Sequence, residues 1–124
     1  MAYYDLGATA YATDELGILS REVPTDARPD RLLGLIGKDT EQFSEAIEHY
    51  RESLRRDSRP GDLHEILTEL AECQLKMQDH AGSLETLASV PVTAETLVLQ
   101  AEAHEGLGRH AQALEAVDRA MKLD

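Results

Sequence analysis

The chain has 124 residues, 42% of them apolar and 29% charged, and a formal net charge of −12. This length holds one domain with a core of its own and is too short for two. The charge excludes a phosphate-backbone partner unless a basic face is segregated, and no apolar run reaches the roughly 20 residues of a membrane span.

The first predicted helix runs from Ala2 to Ala12, where Asp5 interrupts any apolar run of the kind a signal peptide needs. A second, Asp14 to Val23, is expected to start on a Thr13 cap and to stop at Pro24. After "TDARP" come a third helix, Asp30 to Gly37, and a fourth, Glu41 to Arg56, ended by "DSRPG". Arg51, Arg55, Arg56 and Arg59 cluster at the end of that fourth helix, where they complement the helix dipole. The fifth helix spans Leu63 to Gln78 and the sixth Ala81 to Ser89, closed by Pro91. From Ala94 one helix runs to a break at "EGLG", and a final helix follows. The total is eight helices in four pairs. Val and Ile are sparse and aromatics few (Tyr3, Tyr4, Tyr11, Phe43, Tyr50), so alanine and leucine fill the core and the fold class is all-α.

The pairs repeat one pattern. Ala113, Val117 and Ala120 in the last helix have counterparts at the same offsets in Ser83, Leu87 and Val90, and in Ala46, Tyr50 and Ser53. Twelve residues before each of these small anchors stands another small residue: Gly34, Ala71 and Ala101. Leu6-Gly7 with Leu19 extends the rule to the N-terminus, and the anchors are spaced by 27, 37 and 30 residues. Small residues here let neighbouring helices approach, and Gly108 lets the last turn close.

These motifs, most clearly "LGRHAQALEAVDRAMKLD" and "EQFSEAIEHYRESL", resemble the tetratricopeptide repeat, a helix–turn–helix unit of about 34 residues. The resemblance covers nearly the whole chain. It implies a single domain over 1–124, as a short right-handed superhelix of three full repeats (26–60, 61–91 and 92–124) after a degenerate pair at 1–25. It implies a concave, peptide-binding groove lined by Tyr4, Tyr11, Arg31, Leu35, Lys38, Glu65, Thr68, Glu72, Leu75, Glu95, Val98, Glu102 and Glu105. Such a groove passes from aromatic through basic to acidic, and its partner is another protein presenting a basic or amphipathic segment. Leu35 and Glu95 stand where members that clamp chaperone carboxylate tails carry asparagine and lysine, which argues against that ligand.

No metal, cofactor or catalytic pattern is expected. "HEILTE" lacks the second histidine of a metal helix, and the glycine spacing of "LLGLIGK" is not that of a phosphate loop. His80 and His110 hold equivalent turn positions and are expected to pack. Cys73 lies on an apolar face with Leu70 and Met77, as a small buried hydrophobe. A non-catalytic, cytoplasmic binding scaffold is therefore the expectation. The alternative is structural: a segment of a longer protein, or a homodimer formed through an uncovered terminal face of Leu114, Val117, Met121 and Leu123.

Overall fold

The structure, a computed structural model, describes residues 6–123. These residues form seven α-helices: α1 (Leu6–Glu22), α2 (Arg28–Asp39), α3 (Phe43–Arg56), α4 (Leu63–Lys76), α5 (His80–Leu87), α6 (Ala94–Gly106) and α7 (His110–Leu123). They fall into two compact units, the first ending at Leu63 and the second beginning at His64.

In the first unit α1 packs on α2 and α2 on α3. Among the described residues the expected break between two N-terminal helices is absent: α1 is continuous through Thr13 and Asp14. Between Ala12 and Leu16 no glycine or proline interrupts the chain, and a potential cap does not end a helix whose next turns still pack. Leu16 and Gly17 are half-buried and Ser20 is buried, so α1 turns one face inward along its second half. Leu19, the expected anchor of that pair, is exposed instead.

The α2–α3 pair follows the anchor rule closely. Ala46 and Tyr50 are fully buried, and a methyl group added to Gly34 would come within 2.9 Å of the Tyr50 ring. The glycine twelve residues before the anchor is thus what lets the aromatic lie flat across α2. Pro29 sits in the first turn of α2, where its missing N–H is no loss.

An ionic network closes this unit. Asp30 is buried and accepts from Ser20 Oγ at 2.9 Å and from Arg56 Nη1 at 2.9 Å, with His49 Nδ1 at 3.2 Å. Arg56 Nη1 also donates to the Ser20 and Asp26 carbonyls, and its Nε donates to Glu52 at 2.7 Å. Arg56 therefore does more than complement the dipole of α3. It ties the end of that helix to α1, α2 and the loop between them.

In the second unit α5 packs on α6 and α6 on α7. Ser83, the anchor of α5, is fully buried and donates through Oγ to the Ala71 carbonyl of α4 at 3.2 Å. Anchor and companion, twelve residues apart in sequence, thus touch directly. Ile66, Leu70, Cys73, Leu87, Leu97 and Ala103 fill the core, so Cys73 is the buried hydrophobe its neighbours suggested. Asp79 caps α5 by accepting from the Gly82 N–H, and Thr93 and Thr96 form a reciprocal capping box on α6.

The three turns within the α2–α3, α4–α5 and α6–α7 pairs share one backbone conformation. Glu41, Gln78 and Gly108, each five residues before its anchor, are left-handed, with φ of 63°, 63° and 75°. The following N–H in each case reaches back five residues, from Gln42 to Gly37, from Asp79 to Gln74 and from Arg109 to His104. That pairing satisfies the last carbonyls of the first helix and reverses the chain.

Candidate functional site

The residues expected to face a groove divide between the units. In the first, Tyr11 is exposed on α1, while Leu35 and Lys38 are half-buried on α2. Arg31 is engaged within its own unit: its Nε lies 3.2 Å from Asp62, its guanidinium stands 5.8 Å above the Tyr50 ring, and its side chain is 17% exposed. Tyr4 lies outside the described residues.

In the second unit Glu65 is exposed on α4 and Thr68 and Glu72 are half-buried, at a spacing that puts all three on one helix face. Thr68 spends its hydroxyl on the His64 carbonyl at 2.8 Å. Leu75, expected in the groove, is buried in the core, so its side chain offers nothing to a ligand. Glu95, Val98, Glu102 and Glu105 are all exposed on α6, again at the spacing of a single face.

A concavity lies between the last two helices. Val98, Ala101, Glu102 and Glu105 of α6 face His110, Ala113, Leu114 and Val117 of α7 across an open depression of about 650 Å³. Two surfaces read as separate in the sequence, the groove end of α6 and the terminal face of α7, therefore join in one site. Its floor is apolar and small, Ala101 and Ala113 being buried, and its rim carries the two carboxylates. His110 Nδ1 lies 3.0 Å from the Glu105 carboxylate, both groups largely in solvent. Leu114 and Met121 are 67% and 70% exposed, and Val117 and Leu123 are exposed beside them. The site can take an apolar side chain on its floor and a cation at its rim.

His80, expected to pack, does so: a methyl group on Gly106 would overlap its ring, so the end of α6 rests on the start of α5. His110 is the corresponding residue one pair later, and it is exposed. Among the described residues no group of three His, Cys, Asp or Glu side chains is placed to hold a metal, and no helix is long and apolar enough to cross a membrane.

Comparison with known proteins agrees with this architecture. The family model for the tetratricopeptide repeat matches residues 32–60 and 94–124. No curated protein sequence matches the chain. Among solved structures, MamA from Desulfovibrio magneticus RS-1, residues 41 to the end, superposes with a TM-score of 0.83 at 20% identity, covering 95% of this chain and 67% of that one. A structure described as MamA MSR-1 C2 gives 0.81 at 16% identity, covering 95% and 68%, and a further crystal structure of MamA gives 0.83 at 17%, covering 99% and 77%. The matched segments coincide with the α2–α3 and α6–α7 pairs, whose anchors and turns follow one rule. Two of its helix pairs thus match the tetratricopeptide-repeat family, and the chain has the fold of tetratricopeptide-repeat structures.

Proposed function

We propose that the chain is a non-catalytic scaffold that binds a basic or amphipathic segment of another protein through the first helices of its helix pairs. The observation that carries this reading is the run of carboxylates on those helices in the second unit. Glu65 and Glu72 share a face of α4, and Glu95, Glu102 and Glu105 share a face of α6 with Val98 between them. Residues 61–124 hold 12 acidic side chains against 4 basic, so the local potential favours a cationic segment and speeds its encounter. In the first unit Tyr11, Leu35 and Lys38 are the accessible candidates.

The test is a panel of peptides matched in length and apolar content but carrying net charges of about +4, 0 and −4. Only the cationic member is expected to bind, and Glu65→Lys with Glu72→Lys is expected to weaken it at least tenfold. Equal binding across the panel refutes the reading.

Self-association through Leu114, Val117, Met121 and Leu123 is the second reading, favoured by the exposure of all four. Like charges weigh against it, because a symmetric contact on this face brings the Glu102 and Glu105 of two copies together. Mass in solution across a hundredfold concentration range separates the two: a constant monomer mass retires self-association.

A further inference from the structure

The depression between α6 and α7 corresponds, thirty residues on, to a surface that this protein already covers once. Shifting from the Ser83 anchor to the Ala113 anchor maps Leu84 onto Leu114, Leu87 onto Val117, His80 onto His110 and Leu75 onto Glu105. In the earlier pair α6 packs on α5, Leu87 is 1% exposed, and the end of α6 rests on the His80 ring at Gly106. In the later pair Val117 is 39% and Leu114 67% exposed, and the His110 side chain is 70% exposed. The backbone turn is the same and the anchor is equally small. The later surface is a helix seat of the kind that α6 fills one pair earlier.

The two seats differ in one chemically decisive position. Leu75, buried in the earlier pair, is replaced by Glu105, 61% exposed, and Glu102 stands on the same rim. An occupant identical in character to α6 would add three more exposed carboxylates, the counterparts of Glu95, Glu102 and Glu105, beside a rim that is already acidic. A second copy of this acidic chain is disfavoured for the same reason.

We infer that the α6–α7 face seats one amphipathic helix of a partner protein, laid down as α6 lies on α5. That helix sets apolar residues against Leu114 and Val117, a glycine or alanine over His110, and a lysine or arginine against Glu102 and Glu105. This deepens the peptide-binding reading above and rests on it, since Glu102 and Glu105 serve both, while Leu114 and Val117 of α7 belong to this seat.

The experiment uses the whole chain and two stapled helical peptides. The first has the α6 sequence, residues 94–106, and the second has the same sequence with Glu95→Lys, Glu102→Lys and Glu105→Lys. The lysine peptide is expected to bind at least tenfold more tightly than the acidic one, more weakly as salt rises. Leu114→Glu, at an exposed position, is expected to abolish that binding, whereas Glu65→Lys with Glu72→Lys on α4 leaves it within about twofold. Equal affinity for the two peptides, or binding indifferent to Leu114→Glu, overturns the proposal. So does a concentration-dependent dimer that excludes the lysine peptide, which would make a second copy the occupant. Glu65→Lys with Glu72→Lys tests the groove on α4 and Leu114→Glu tests the seat on α7, so either reading can fail alone.

Discussion

Arg56 Nη1 lies 2.9 Å from Asp30 Oδ2, with 11% and 4% of the two side chains exposed. A charge pair this deep is held by what surrounds it. Ser20 and His49 complete the carboxylate, while two backbone carbonyls and Glu52 complete the guanidinium. Removing one partner leaves the other charged and desolvated.

Arg56→Met is therefore expected to destabilise the first unit by about 3–5 kcal/mol, and Asp30→Leu combined with Arg56→Met by distinctly less than the sum of the single changes. Urea unfolding of the four proteins of the cycle measures this. Additive losses would mean that the pair is not coupled.

The same end of α3 carries a pH dependence. Glu52 accepts from Arg55 and from Arg56, which hold its carboxyl at about 2, well below its ordinary 4.5. A depressed carboxylate contributes stability that is complete above its unfolded value and is lost as pH falls through the folded one. Thermal stability of the first unit is thus expected to decline from about pH 4.5 toward about pH 2. Asp26, held at about 2 mainly by Arg28, declines over the lower part of that window as well. Glu52→Gln flattens the profile there, and a profile unchanged by that substitution removes Glu52 from the account.

Three pair turns use a left-handed residue, and only one of them is a glycine. A non-glycine residue in that conformation costs about 1–2 kcal/mol, part of which glycine returns as unfolded-chain entropy. Glu41→Gly and Gln78→Gly are each expected to stabilise by about 0.5–1 kcal/mol, and Gly108→Gln to destabilise by about 1 kcal/mol. Melting temperatures of the three variants decide it, and destabilisation by Gln78→Gly would contradict it.

Close approach without a side chain makes a further prediction. Gly34→Ala sets a methyl against the Tyr50 ring and is expected to cost about 1–3 kcal/mol. Gly106→Ala overlaps His80, and His80→Ala in the same chain is expected to recover most of that loss. A double variant no more stable than Gly106→Ala alone would place the strain elsewhere.

The covered and open seats should differ in energy. Leu87→Ala, at 1% exposure, is expected to cost about 2–5 kcal/mol, and Leu114→Ala, at 67%, less than about 0.5 kcal/mol. Comparable losses at the two positions would show that Leu114 is buried in solution.

Much of this protein was legible in its sequence because its repeat is written in local terms. Helix lengths follow from period and breakers, so Pro24 and Pro91 marked real ends and the Ala46, Ser83 and Ala113 anchors are buried as their spacing implied. The glycine and alanine twelve residues ahead, Gly34 and Ala71, meet the second helix as a fixed offset across one turn requires. The family resemblance implied that Val98 and Glu102 face outward, and Leu114 was expected on an uncovered terminal face; all three are exposed.

Tertiary structure decided what depends on partners distant in the chain. Thr13 caps nothing because the turns on either side of it belong to one helix packed on α2, a fact no local signal carries. Arg56 reads as one more surface cation until Asp30, 26 residues earlier, is folded against it. Leu75 leaves the groove and enters the core because burial is set by what packs over a face, and periodicity names the face without naming its cover. The joining of α6 and α7 in one open site is of the same kind: the residues were visible singly, and only the packing of the pair made them a surface.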